Sequence, residues 1–499
     1  MVPPGAMSAA KRNTQGEGAR VASVGRSKLG MGGLKTEIVS TGTQKAEPSP
    51  CIAFMWLCLC ERVDPRSSSR YDLSQDIWGM IINTIFRCLT LAALSILMAS
   101  CATKAPAPPT AIDIDAKAMA IHERVITFDA EMDIPLDFMT GDKDAGKDTK
   151  MQVDLPKMDA GKLDGAAFVL FALQNKRTPE NYAKARKEMD TKLAAIEKML
   201  STYPDRIELA RRADDMPRIV KSGKHFVVLS IVNAYPYGED TKWLSALYQL
   251  GLRMVAFNHA GNNQFADSNR PQEKNGDKDG EHSGLTSLGK QAVAEMNRLG
   301  IIVDVSQISS QALMQAVTLS KAPVVASHVG VKAKVDTSRN LSDAEIKAIA
   351  AKGGVVHIVA FPSYLKSASK EQQDDLAAIE KSFDLKTFTD AGAKLPKEKM
   401  PEFMKAMTGY RERWANAGAT VVDLADSIDY AVKLIGIDHV GVSTDMEHSG
   451  GVIGYKTAAE AAGLTKELVK RGYSERDIGK IWSGNFLRAW KAVEKMAEK

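Results

Sequence analysis

From residue 120 to the end of the chain, short apolar runs alternate with longer amphipathic stretches. The runs are rich in Val, Ile and Phe and are bounded by polar or glycine residues, which is typical of buried strands. We predict eight strands, at Val125–Phe128, Ala166–Phe171, Phe226–Ile231, Arg253–Phe257, Ile301–Val305, Pro323–Ser327, Gly354–Ala360 and His439–Val442.

The stretches between these runs carry apolar residues at helical spacing. The clearest predicted helices are Pro179–Leu200, Ser287–Leu299, Ser309–Leu319, Asp343–Ala351 and Val422–Leu434. Each is about as long as the crossover that two parallel strands need. Eight strand–helix units predict an α/β fold, a closed (β/α)8 TIM barrel. An open doubly wound sheet is the alternative. It is less favoured because no G-x-G-x-x-G motif follows the first strand.

Two connections are longer than a simple crossover. Residues 261–284 form a polar loop rich in Gly, Asn and Asp after the fourth strand, and residues 366–417 form a charged helical insertion after strand 7. The active site of a (β/α)8 barrel lies at the carboxyl ends of its strands, where long loops shape access to it.

The first 119 residues differ from the rest. Residues 80–101, MIINTIFRCLTLAALSILMASC, resemble a bacterial lipoprotein signal that ends at the lipidated Cys101. Residues 1–79 show no sustained apolar periodicity and are interpreted as a spurious or disordered extension, 102–119 as a Pro/Ala tether, and 120–499 as the folded domain. We therefore expect an exported protein, attached to the bacterial outer membrane only by its lipid anchor and facing the periplasm.

Cysteine and charge follow the same division. All five cysteines lie at or before Cys101, so the domain after it contains no disulfide framework, thiolate metal site or cysteine nucleophile. The first 100 residues hold 11 Lys and Arg against 7 Asp and Glu, which leaves 55 against 54 for the remainder. Because a nearly neutral domain offers no broad basic surface for phosphate backbones, nucleic acid is excluded as an expected partner.

Polar residues follow the predicted strands at the end where a barrel has its active site. They are Asp129, Glu131, Asp133, His259, Gln307, His328 and Asp445. Taken singly, each could cap a helix or satisfy loop backbone. Carboxylates and histidines that converge on one barrel mouth suit a divalent metal ion with a polarised water molecule.

Six segments, in order, give a specific resemblance. They are DAEMDIP (129–135), AFNHAGNNQFADS (256–268), GLTSLGKQAVAEMNRLGIIVDVSQIS (284–309), SHVGVKAKVDTSRNLSD (327–343), GIDHVGVSTDM (436–446) and SGNFLRAW (483–490). Together they resemble the membrane dipeptidase, or renal dipeptidase, family of metallopeptidases over roughly residues 120–495. The resemblance implies a (β/α)8 barrel that hydrolyses dipeptides with two zinc ions bridged by a glutamate.

The resemblance also implies roles for individual residues. At the five metal-ligand positions this chain has Glu131, Asp133, Val232, Gln307 and His328, of which only Asp133 and His328 match the family. The substrate-handling positions agree better. His259 matches the histidine that polarises the scissile carbonyl, Arg339 the arginine that binds the substrate carboxylate, and Asp445 the aspartate that transfers the proton.

These departures change the expected cofactor. Valine has no lone pair to bridge two ions, and the Gln307 amide is a weaker zinc ligand than imidazole, so we do not expect an intact dizinc centre. Glu131, Asp133 and His328, with Gln307 as a weak fourth ligand, could instead hold one divalent ion, Zn, Mn or Mg.

Three functions remain open at this point. The first is a dipeptidase-like hydrolase acting on small carboxylate-bearing amides, with Asp445 and His259 catalytic and Arg339 binding the substrate. The second is a non-catalytic lipoprotein that binds peptides, and the third is an epimerase or lyase on the same barrel. Members of the resembled family often dimerise, so a homodimer is expected as well.

Overall fold

The computed structural model describes residues 111–238, 240–388, 391–414 and 417–497. Ten strands are present in this part of the chain: β1 (Phe128–Met132), β2 (Gly165–Phe171), β3 (Ile207–Leu209), β4 (His225–Val232), β5 (Leu252–Ala256), β6 (Ile302–Asp304), β7 (Val325–Val331), β8 (Asn340–Leu341), β9 (Val355–Val359) and β10 (Val440–Ser443). Eight of them pair in parallel in the order β1-β2-β4-β5-β6-β7-β9-β10. The short strands β3 and β8 pair only with β4 and β7.

Helices surround this sheet. They are α1 (Ala111–His122), α2 (Leu155–Gly161), α3 (Pro179–Thr202), α4 (Asp215–Lys221), α5 (Lys242–Leu250), α6 (Ser287–Leu299), α7 (Ser310–Leu319), α8 (Asp343–Ala351), α9 (Pro362–Leu365), α10 (Lys370–Ser382), α11 (Ala391–Lys394), α12 (Met400–Arg413), α13 (Val421–Ile435), α14 (Ala462–Lys470), α15 (Glu475–Gly479) and α16 (Asn485–Ala497). None of the described helices is long and apolar enough to span a membrane.

The first and last strands of the sheet meet at their carboxyl ends. Met132 and Met446 form a parallel bridge. The backbone N–H of Asp133 donates to the Met446 carbonyl at 3.1 Å, and that of Asp445 donates to the Glu131 carbonyl, also at 3.1 Å. The predicted (β/α)8 TIM barrel is therefore confirmed, and its ends join where the candidate residues lie.

Two strands, β1 and β7, differ most from the sequence prediction; the other barrel strands differ by at most one residue at either end. β1 begins at Phe128 instead of Val125, because Thr127 is tied to the connection between α2 and β2: its N–H donates to Asp164 Oδ2 at 2.8 Å and its hydroxyl to the Lys162 carbonyl at 2.7 Å. Asp129 and Glu131 consequently lie within the strand. β7 likewise continues to Val331, which places His328 inside the strand rather than after it.

The amino-terminal side of the barrel is closed by aromatic packing. Phe128 contacts Phe226 with ring centroids 5.8 Å apart and Phe486 of α16 at 4.4 Å, and Phe486 in turn contacts Trp490 at 5.8 Å. All four side chains are almost completely buried. Burial of this much aromatic surface fixes the strand starts and leaves the polar residues at the opposite, carboxyl end.

The two long connections are present as expected. The loop 261–284 contains only one short 3-10 turn, Glu273–Asn275, while the insertion 366–417 contains α10, α11 and α12. The insertion packs a small apolar cluster of its own that includes Leu385, Phe403 and Met407.

The boundary of the folded part differs from the prediction. Helix α1 begins at Ala111, so residues 111–119 of the predicted tether are helical. Ala118 and Ile121 are buried, and His122 Nδ1 lies 2.7 Å from the Thr465 hydroxyl of α14, which explains why this segment folds with the barrel. The predicted signal at 80–101 and the extension 1–79 lie outside the described residues.

Candidate active site

Two carboxylic acids from β1 and the end of β10 lie together at the barrel mouth. Glu131 and Asp445 are 3% and 7% exposed, and Glu131 Oε2 has no hydrogen-bond partner. Burial, followed by the negative charges of Asp445 and Asp133, raises the pKa of Glu131 well above its ordinary value. Burial also raises the pKa of Asp445, to about 6. Asp445 can therefore exchange a proton near neutral pH.

Asp129 holds this pair in place from behind. Its Oδ1 accepts the backbone N–H of Thr444 at 3.0 Å and that of Glu131 at 3.2 Å, and its Oδ2 accepts the Thr444 hydroxyl. These bonds join β1 to β10 directly before Asp445, which has a left-handed backbone with φ of 57°. Asp129 is therefore a positioning residue, and the strained backbone at Asp445 is held by its surroundings.

Asp133 is neutralised by a lysine from helix α3. Lys192 Nζ lies 2.6 Å from Asp133 Oδ1, and the two side chains are 7% and 9% exposed. The same Oδ1 accepts the N–H of Ile134 at 2.8 Å. Asp133 Oδ2 lies 3.5 Å from His448 Nδ1. Burial would lower the pKa of His448, but its hydrogen bond to Asp133 and the charge of Asp445 raise it above the ordinary value.

A chain of hydrogen bonds crosses the other side of the mouth. Arg270 Nη2 donates to Gln307 Oε1 at 2.6 Å, and Gln307 Nε2 lies 2.6 Å from His328 Nε2. His328 Nδ1 lies 2.7 Å from the Ser327 hydroxyl, which donates to Asp304. The chain is satisfied when every group donates in the direction of Asp304.

That direction assigns the proton of His328. Its Nε2 accepts from Gln307, so the ring is neutral with its proton on Nδ1. Burial, then the charges of Arg339 and Arg270, lower the pKa of His328 well below its ordinary value, in agreement with a neutral ring. Gln307 itself has a left-handed backbone with φ of 66°. Its side-chain amide lies between Arg270 and His328 in this series of hydrogen bonds.

His259 lies in an aromatic cluster between the two sides. Its ring centroid is 4.6 Å from Phe171 and 5.3 Å from His448. Arg270 Nη2 lies 3.4 Å from His259 Nε2, and arginine only donates, so this nitrogen accepts. Loss of hydration, then the Arg270 charge, lower the pKa of His259 well below its ordinary value. His259 is therefore neutral at pH 7.

Arg339 presents unused donors to the same mouth. Its side chain is 3% exposed and its Nη2 donates to the His328 carbonyl at 3.2 Å, whereas Nε and Nη1 have no partner. The guanidinium stacks 5.0 Å over the Tyr364 ring. Arg270 Nε is also without a partner, and loss of hydration, then the charge of Arg339, lower the pKa of Arg270 to about 10. Buried donors of this kind are arranged for an anionic oxygen.

Comparison with models of protein families identifies the family of this chain. The model of the membrane dipeptidase family matches residues 115–499. The chain belongs to the membrane dipeptidase family. The resemblance found in the sequence motifs is therefore confirmed.

Individual membrane dipeptidase relatives agree with this assignment. The chain is 25% identical over 368 residues to dipeptidase tcpJ of Claviceps purpurea, which covers 72% of this chain and 74% of tcpJ. It is 28% identical over 353 residues to dipeptidase aclJ of Aspergillus oryzae, which covers 69% and 71%. Among solved structures, the probable dipeptidase PvdM of Pseudomonas aeruginosa is 40% identical, with a TM-score of 0.71 over 77% of this chain and 99% of PvdM.

Membership of a metallopeptidase family implies a divalent metal ion, and the donors at the barrel mouth decide whether one fits. No three His, Cys, Asp or Glu side chains within the described ranges are grouped so that they could hold an ion. Asp133 is paired with Lys192, both nitrogens of His328 are used in the hydrogen-bond chain, and Val232 has no donor. As arranged here, Glu131, Asp133 and His328 do not form the single-ion site that the sequence predicted.

Sequence reasoning missed three residues of this site. Lys192 carries a usable signal, because it lies on the buried stripe of α3 between Met189 and Ile196, where a lysine is out of place. Arg270 carries none, because it lies in a polar loop where charged residues are common, whereas His448 follows the eighth strand three residues after Asp445, as the other candidates follow their strands. Only the closed barrel shows that both contact the predicted residues.

Proposed function

We propose that the protein hydrolyses dipeptides or similar small amides that carry a free carboxylate. The observation that carries this proposal is the convergence of Arg339, with two unpaired buried donors, and Asp445, with a pKa of about 6, on the same barrel mouth. Family membership supports it, and so does the motif resemblance, which implies substrate-handling roles for both residues.

The residues of this chain divide the reaction between them. Arg339 binds the substrate carboxylate through two charge-assisted bonds. The ionised Asp445 accepts a proton from the attacking water as the oxygen adds to the carbonyl carbon, and returns it to the amine nitrogen as the C–N bond breaks. Because His259 Nε2 accepts from Arg270, the positive charge for the developing oxyanion lies on Arg270 rather than on His259.

A hydrolysis assay with a panel of dipeptides tests the proposal. The purified protein should release free amino acids, and Asp445→Asn should reduce the rate to background, at least about a hundredfold, because an amide cannot accept the proton from water. Lys198→Met is a matched control, since Lys198 contacts the Met139 carbonyl outside the site. No release from any dipeptide, or equal rates for Asp445→Asn and the unmutated protein, would reject hydrolysis.

A second candidate is a non-catalytic peptide-binding protein. The observation that favours it is the pairing of Asp133 with Lys192, which removes a carboxylate that the family uses for its metal. Calorimetric binding of a dipeptide that the hydrolysis assay shows not to be cleaved would select this candidate. The epimerase or lyase alternative needs Glu131 or Asp133 as a base. Asp133 is paired with Lys192 and burial raises the pKa of Glu131, and no specific contact favours this alternative over hydrolysis.

The location and assembly of the protein stay part of this proposal. We expect export, lipid attachment at Cys101 and an outer-membrane position facing the periplasm, and a homodimer as in family members. Expression from Met80 should yield a lipid-modified chain that starts at Cys101, which mass spectrometry of the membrane fraction would detect. An unmodified chain that starts at Met80 would contradict it.

A further inference from the structure

Lys192 reaches the site from a position that normally belongs to the core. Helix α3 buries Ala185, Met189, Lys192, Ile196 and Met199 along one stripe. The lysine stem packs in this stripe while Nζ reaches Asp133 Oδ1 at 2.6 Å and lies 5.4 Å over the Phe171 ring. A buried ammonium is retained only where a partner compensates its lost hydration, so this contact is the reason for the lysine.

Arg270 has the corresponding place on the other side of the mouth. Its guanidinium binds Gln307, which stands where the family has a metal-binding histidine, and through Gln307 it reaches His328. Each half of the ligand set therefore contacts a cationic side chain: Lys192 on the Asp133 side and Arg270 on the Gln307 side.

The position of the family's bridging carboxylate is apolar in this chain. Val232, at the position of the family's bridging glutamate, packs with Val169, Phe171 and Ala256 in one buried cluster. The carboxylate that bridges two metal ions in the family is therefore replaced by the apolar side chain of Val232. A divalent ion entering the site would meet two fixed positive charges and would have to displace Lys192 from Asp133.

We propose that this centre does not take a divalent metal ion: Lys192 and Arg270 bind Asp133 and Gln307, two of the ligand positions, and carry the positive charge of the site on fixed side chains. The unpaired donors of Arg270 and Arg339 then receive the substrate's anionic oxygens directly. A site charged in this way would serve a hydrolase and a peptide-binding protein equally well. Metal-binding measurements can therefore contradict this inference without contradicting the proposed activity, and the reverse.

Metal binding by the unmutated protein is the first test. Protein purified without added metal should contain less than about one tenth of a divalent ion per chain, and neither EDTA nor added Zn²⁺ or Mn²⁺ should shift its melting temperature by more than about 1 °C. One tightly bound divalent ion per chain, removed by EDTA with a fall in melting temperature, would overturn the inference and restore the single-ion site.

Removal of the ammonium is the second test. Lys192→Met leaves the Asp133 carboxylate without its cation, so Mn²⁺ should now bind at least about tenfold more tightly than to the unmutated protein and should raise the melting temperature. Lys192→Arg, which keeps the charge, and Lys198→Met, on the same helix outside the site, should behave like the unmutated protein. Equal Mn²⁺ responses of Lys192→Met and Lys198→Met would contradict the inference.

If Lys192→Met folds poorly, a double variant still tests the inference. The double variant Lys192→Met with Asp133→Asn removes the whole ion pair, which is tolerated better than the loss of one partner. It should fold and, because it lacks the carboxylate, should bind Mn²⁺ no better than the unmutated protein. Tighter Mn²⁺ binding by this double variant would show that the Lys192–Asp133 pair does not control metal access.

Discussion

Three basic side chains, Lys192, Arg270 and Arg339, converge at the barrel mouth, and they differ in how well their donors are paired. Lys192 has a carboxylate partner at 2.6 Å, Arg270 has an amide oxygen, and Arg339 has one backbone carbonyl. Positive charge with incomplete pairing favours an anionic ligand, because unpaired buried donors gain a hydrogen bond when the ligand enters. This is the residue-level basis for expecting a carboxylate in the substrate.

A histidine outside the site provides a pH prediction. His357 in β9 donates from Nδ1 to the Ala326 carbonyl at 2.9 Å, while its buried Nε2 has no partner. Burial lowers its pKa from 6.5 to about 4. Since the unfolded chain binds the proton first, stability is fully present above pH 6.5 and falls as the pH decreases towards 4.

We expect His357 to contribute roughly 3 kcal/mol to this loss of stability. His357→Gln can keep the bond to Ala326 but cannot titrate, so its free energy of unfolding should vary less between pH 7 and pH 4.5. Urea unfolding at both pH values measures the difference. Equal pH dependence in the two proteins would show that His357 is not the group responsible.

At the scale of elements, helix α6 and the loop 261–284 hold Arg270 in position. Thr286 caps α6 and its hydroxyl donates to the Gln264 carbonyl at 2.7 Å, so the helix start is bound to the loop. Gly289, in the first turn, lies so close that an added Cβ would be 2.0 Å from the Phe265 carbonyl oxygen. The glycine is required for this close approach.

Gly289→Ala should therefore move the loop and reduce the free energy of unfolding by about 1–3 kcal/mol, with weaker ligand binding because Arg270 moves. Gly418→Ala is the matched control, because nothing lies within 4 Å of its added Cβ, and it should stay within about 0.5 kcal/mol of the unmutated protein. Chemical denaturation compares the two. A Gly289→Ala variant as stable as Gly418→Ala would show that the loop can yield.

The helices and strands also show how much of the fold can be predicted from the sequence. Periodicity was sufficient for the eight barrel strands and for helices such as Ser287–Leu299 and Asp343–Ala351, because each buries one regular face. It misplaced the start of β1, which depends on side-chain bonds of Thr127 that periodicity does not contain. Motifs supplied His259, Arg339 and Asp445, but the partners Lys192 and Arg270 depend on contacts that only the closed barrel creates.

At the scale of the whole molecule, the barrel separates stability from chemistry. Aromatic packing of α16 closes the amino-terminal side, and the closure of β1 against β10 brings Glu131 and Asp445 together at the other. The central claim is that this carboxyl-end mouth receives a ligand through its free carboxylate.

Calorimetric titration with a dipeptide and with its carboxyl-amidated form tests that claim most directly. We use Asp445→Asn to prevent turnover and expect the free acid to bind at least about tenfold more tightly than the amide, because only a carboxylate accepts two charge-assisted bonds from a guanidinium. Adding Arg339→Lys should abolish most of this preference although the charge is kept. Equal binding of acid and amide would contradict the account and remove Arg339 from the site.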